Sequence, residues 1–175
     1  MPNWCNNSMT ISHSDPVMLK KALDAWNSGK FLQTLIPCPQ DLIDTICGSF
    51  GDDEKQKALN EKQALNLEKH GYPTWWEYCV SEWGTKWDVG HQSEHDDIAE
   101  INGGQFFVSF DSAWSPPTNA YEKLKNMGYV IEAFYAETGC DFCGKWDDGT
   151  DYCYRISKGD IPDDIVECMG LELQE

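Results

Sequence analysis

At 175 residues, 41% of them apolar, the chain is sized for one domain spanning 1–175 with a real core. Thirty acids against thirteen Lys and Arg give a formal net charge of -17 and a pI near 4.4. Such a chain offers no basic groove for phosphates, which excludes ordinary nucleic-acid binding. Eight Trp, seven Tyr and seven Phe make the core aromatic and argue against disorder. No apolar run reaches the ~20 residues of a membrane helix. The start, MPNWCNNSMTI, has neither the basic region nor the apolar centre of a secretory signal. The expectation is a cytoplasmic protein whose eight cysteines are thiols or metal ligands rather than disulfides.

Trp4 to His13 reads as a first strand with Met9 and Ile11 facing inward. Asp15-Pro16 opens a helix whose Leu19, Ala22, Leu23 and Trp26 share one stripe, and Asn27-Ser28-Gly29 ends it. Pro37-Cys38-Pro39 predicts irregular chain from Phe31 to Asp44. A helical insertion is expected over 40–82. Its polar centre, Gly48 to Gly71, is anchored by Ala58, Leu65 and Leu67. Thr74 caps a short helix with Trp76, Val80 and Trp83 on one face. Gly84 breaks it, Thr85 to Val89 returns as a strand, and Ile98 to Ile101 is a further strand candidate.

From Gln105 the chain alternates with period two through Phe106, Val108 and Phe110, then turns through Ser112-Ala113-Trp114 into Ser115-Pro116-Pro117. Ser115 is the expected cap of a helix carrying Ala120, Leu124 and Met127, stopped by Gly128. Tyr129 to Glu137 is a strand. Phe142–Trp146 and Tyr152–Ile156 form a hairpin about Asp147-Asp148-Gly149, and Asp160 to Met169 is an acidic helix. Thr10–Gly29 and Ser109–Gly128 are two similar strand–helix units. The fold class expected is therefore α+β, a ferredoxin-like βαββαβ antiparallel sheet. Two helices lie on one face, with a helical insertion and an extra C-terminal β-hairpin. Trp83, Trp87, Phe106, Phe110 and Leu124 are the expected core.

The stretches MPNWCNN, PCP, EWGTKWD at Glu82–Asp88, FDSAWSPP at Phe110–Pro117 and YAETGCDFCG at Tyr135–Gly144 resemble the YubB-type ferredoxin-like family. The likeness covers the chain apart from Gly48–Gly71. That family is carried by plasmids, genomic islands and phages. The resemblance implies the ferredoxin-like fold and, by analogy, a host-interaction or anti-defence role. It implies no established reaction.

Four constellations carry candidate chemistry. Cys140-x2-Cys143 with Cys153 has part of a zinc-site spacing, with Cys168 or a histidine needed as fourth ligand, so no metal and no cofactor is expected. His91 and His95 with Glu94, Asp96 and Asp97 would offer cation ligands only on a helix, and the stretch reads as a polar loop. Lys86, Asp88, Asp111, Trp114 and Glu137 would form a strand-end cluster capable of acid–base work, or else a structural ion network. Asp147, Asp148, Asp151, Asp160, Asp163 and Asp164 form a candidate acidic surface. Two functions follow. One is a non-enzymatic interaction protein whose carboxylates meet a partner with a basic surface. The other is an enzyme or a small-ligand or metal-binding protein using the strand-end cluster.

Overall fold

The computed structural model describes residues 3–51, 53–91 and 98–172. Its five strands are β1 (Trp4–His13), β2 (Gln105–Ala113), β3 (Tyr129–Glu137), β4 (Phe142–Asp147) and β5 (Thr150–Tyr154). They form one open antiparallel sheet in the order β2-β1-β3-β4-β5. The helices are α1 (Pro16–Asn27), α2 (Phe31–Leu35), α3 (Gln40–Ile43), α4 (Asp53–His70), α5 (Trp75–Glu82), α6 (Thr118–Asn126) and α7 (Asp163–Met169). The chain is thus mixed α+β.

Alternation in the strands gives the sheet two faces. Met9 and Ile11 of β1, Phe106 and Val108 of β2, and Ile131 and Ala133 of β3 share one core with Leu19, Ala22 and Trp26 of α1 and Ala120, Tyr121 and Leu124 of α6. α1 forms because Asp15 accepts a hydrogen bond from the Val17 N–H and Pro16 sits where no N–H is needed. The opposite face carries a smaller cluster, Ala136 and Cys143 of the sheet under Ile165 of α7. The hairpin β4–β5 turns at Asp148-Gly149, both at positive φ, the geometry of a tight two-residue loop. In β4, Gly144 lies under the Tyr135 ring, leaving no room for a side chain, and the Tyr135 hydroxyl donates to Asp151 at 2.5 Å.

Several expected elements differ. Phe31 to Asp44 is not all irregular: α2 and α3 flank Pro37-Cys38-Pro39, because Asp88, remote in sequence, accepts from the Leu32 and Gln33 N–H groups that open α2. Thr85 to Val89 is no strand. Its polar groups bond to the ends of other elements instead, with Thr85 Oγ1 donating to Ala113 O at the end of β2 and Phe31 N at the start of α2 donating to Val89 O. Among the described residues the βαββαβ plan therefore lacks its second strand. Ile98 to Ile101 is not a strand either. The Asn27 side chain pairs with both backbone groups of Ala99, as a strand partner would. α4 buries Leu59 and Asn66, whereas Ala58, Leu65 and Leu67 are exposed. Asn66 Nδ2 docks the helix by donating to Thr45 Oγ1 at 2.8 Å and Pro73 O at 3.1 Å. On α5 the buried positions are Cys79 and, at its end, Trp83, not Trp76 and Val80. Ser115 does not cap α6. Its hydroxyl donates to Gly84 O at 2.6 Å, and the helix begins at Thr118. Met127 is exposed. Of the expected core, Trp83, Phe106 and Leu124 are buried, Phe110 packs half-buried against Trp26, and Trp87 lies outside. No helix of the described residues is long and apolar enough to cross a membrane.

Candidate functional site

The strand-end cluster does not assemble as one set. Asp88 turns inward, accepting from the N–H groups of Leu32 (2.6 Å), Gln33 (3.1 Å) and Val89 (2.8 Å). Burial raises its pKa, and those three bonds pull the other way. Glu137 and Asp111 cannot meet, because alternation places them on opposite faces. Glu137 accepts from the Gly139 N–H at 2.8 Å and is covered by the turn it closes. The Cys140 thiol beside it, with burial opposing and Gly139 helping, holds its carboxyl below the usual range. Its charge contributes to pushing the buried Cys5 thiol up to about 12, burial being the main cause. Asp111 faces the open side of the sheet and accepts from Asn6 Nδ2 at 2.6 Å.

Lys86 and Trp114 do meet, joined by Trp87, which was expected in the core, and by Trp4. The Lys86 ammonium lies 4.7 Å from the Trp87 ring centre and 5.1 Å from that of Trp114. Trp4 packs against Trp87 with the rings tilted by 43° and their centres 5.8 Å apart. All three rings are partly exposed, and Trp4 also borders an open cavity of about 490 Å³ with Asn6, Gly90, Ser109 and Asp111. The signal for Trp4 and Trp87 was their place in polar neighbourhoods, Asn3-Trp4 and Lys86-Trp87-Asp88, where a core residue is out of context.

Sheet geometry also separates the cysteines. Cys143 is fully buried against α7, while Cys153 is exposed and points to the other face. Cys140 is exposed, receiving a hydrogen bond from Asn3 Nδ2, and Cys168 is exposed on α7. Among the described residues no group of three or more His, Cys, Asp or Glu is placed to hold a metal, and all eight cysteines are free thiols. His91 donates its backbone N–H to Trp26 O, and the rest of its set, Glu94 to Asp97, lies outside the described residues.

The acidic set divides. Asp151 binds the Tyr135 hydroxyl and Asp148 lies 3.4 Å from Lys125 at the hairpin turn. Asp160 and Asp163 are exposed. Asp147 and Asp164 converge with Glu132 on Lys145, at 3.7, 3.6 and 2.7 Å. Together with Asp111 they stand on the face of the sheet that α1 and α6 leave open. On that face Lys145 is the basic strand residue, and α7 adds none. Phe107 and Val130 are exposed among these acids, at 60% and 67%.

No family model and no curated protein matches the chain. Among solved structures it is similar to the crystal structure of a protein api92 from Yersinia pseudotuberculosis, family model DUF1281. The two are 12% identical, with a TM-score of 0.44 over 89% of this chain and 98% of that one.

Proposed function

We propose that the protein is a non-enzymatic interaction module of a mobile element, plasmid or phage, that binds a host or defence protein through its acidic open sheet face. The carrying observation is the charge of that face. Four carboxylates, Asp111, Glu132, Asp147 and Asp164, share that face with exposed Phe107 and Val130, and among the described strand residues of the face Lys145 is the lysine that pairs with three of them. A partner that presents a basic patch, such as a protein that otherwise grips DNA, would meet complementary charge and apolar contact on one surface. The cell compartment in this reading is the cytoplasm. The ferredoxin-like plan belongs to it too: β1–α1 and β2–α6–β3 supply its strand–helix units, with the loop 84–90 in place of its second strand.

The test is capture from host lysate read by mass spectrometry, followed by binding kinetics with the purified partner at several salt concentrations. Neutralising Glu132, Asp147 and Asp164 by amide substitution should slow association progressively, and salt should do the same because exposed charges are screened over ~10 Å at 0.1 M. Binding indifferent both to salt and to those substitutions would rule this face out. One observation favours a second reading, small-ligand binding: the Lys86–tryptophan cluster beside its cavity. For acid–base catalysis the cluster is poorly supplied, since Asp88 and Glu137 are engaged by backbone N–H groups.

A further inference from the structure

The rings around Lys86 come from three separate stretches: Trp4 at the start of β1, Trp87 in the loop 84–90, and Trp114 after β2. They keep 46%, 39% and 43% of their surface exposed. In a chain this acidic, no described carboxylate lies within ion-pair distance of Lys86, and its ammonium faces two indoles instead. Trp114 adopts φ +70°, a conformation that a bulky L-residue avoids. Its surroundings hold it there. Its N–H donates to Asn3 O at 2.9 Å, Ser112 Oγ to Ser115 O at 2.7 Å, and Ser115 Oγ to Gly84 O. The loop bearing Lys86 and Trp87 is fixed from beneath by Asp88. Strain held in place by such a network, at an exposed cluster of aromatic rings, is what a preorganised binding site requires. Trp4 joins this cluster to the adjoining cavity, whose size suits a small molecule and whose wall includes the Asp111 carboxylate, an acceptor.

We propose that this cluster binds a small planar anion. A flat ring stacks on the exposed indoles, an N–H or O–H group on it donates to Asp111, and its carboxylate or phosphate meets Lys86. Polyanions are disfavoured by the net charge of -17. Nucleoside monophosphates and aromatic carboxylic acids both carry this chemistry. The site borders the acidic face and shares Asp111 with it, but does not rest on the basic-partner reading.

The experiment is an NMR titration of the full chain, following its tryptophan indole N–H signals. The probes are guanosine 5′-monophosphate, indole-3-carboxylate, their neutral counterparts guanosine and indole, and inorganic phosphate. A ring-bearing anion should shift the signals of Trp4, Trp87 and Trp114 saturably, and its neutral counterpart should bind about tenfold more weakly. Response to the nucleotide alone or to the indole acid alone assigns the source. Lys86→Gln should remove the preference for the anion. Trp114→Gly removes a ring and also relieves the positive φ, so it should keep the melting temperature while losing binding. The proposal is overturned if no ring-bearing anion gives saturable shifts up to about 10 mM. Equal binding by phosphate or by the neutral rings, or an unchanged preference in Lys86→Gln, overturns it too. Should Trp114→Gly fail to fold, Lys86→Gln decides alone.

Discussion

Phe106 and Phe107 are adjacent in β2, yet the first is 1% exposed and the second 60%. The same holds between Ile131 at 2% and Val130 at 67% in β3. Strand alternation makes two faces available, and the helices decide which is covered. α6 lays Ala120, Tyr121 and Leu124 on one face, with α1 beside it. On the other, α7 has seven residues and one buried side chain, Ile165, so it covers only the end near Ala136 and Cys143. The covered face is where stability resides. The uncovered face carries Asp111, Glu132 and Asp147 and leaves Phe107 and Val130 exposed.

The largest effect should come from the covered face. Phe106→Ala should cost about 3–5 kcal/mol in denaturant melts, as large-to-small core changes do. A loss under about 1 kcal/mol would mean that the two faces are assigned the wrong way round. Asp88→Ala comes next. It leaves the Leu32 and Gln33 N–H groups without their acceptor, and should lower stability by about 1–3 kcal/mol. If it also releases α2, amide exchange will rise at Leu32 and Gln33 before the sheet responds.

A smaller, pH-dependent effect belongs to the periphery. The exposed Asp41 is held down to about 2, first by the Lys69 hydrogen bond and then by His70. Its folded pKa is below the ordinary 3.8, so its stabilisation is present above that value and is lost as pH falls toward about 2. The protection of α4 amides, measured against their intrinsic exchange rates, should therefore fall in acid while that of β1 amides does not, and Asp41→Asn should abolish that difference. The smallest effect is expected from Phe107→Ser, within about 0.5 kcal/mol of the parent in melts. If the open face is a docking surface, the same change should nonetheless weaken capture of a basic partner.

Much of the fold was legible in the residues. β1, β3 and the turn at Asp148-Gly149 follow from alternation and turn chemistry, and α1 from Asp15-Pro16 and its stripe. These signals are local, each carried by a few consecutive side chains. The candidate site was half legible. Lys86, Asp111 and Trp114 drew notice as polar or aromatic residues at strand ends, but Trp4 was read only as the start of a strand and Trp87 as core, and Asp88 and Glu137 were placed in company they do not keep.

What the sequence by itself determined was the amphipathic pattern, the strong negative charge and the places where the chain turns. Only the tertiary structure decided partnership. Thr85 to Val89 has a strand-like composition, yet it meets Ala113 through the Thr85 side chain and Phe31 through one backbone bond, and joins no strand ladder. Ser115 is a good helix cap that instead bonds Gly84, and Asp88 caps a helix more than fifty residues earlier in the chain. Hydrogen-bond donors and acceptors are general in what they accept, so propensity can say that a group needs a partner. Which partner it finds depends on what the packed core brings within about 3 Å of it.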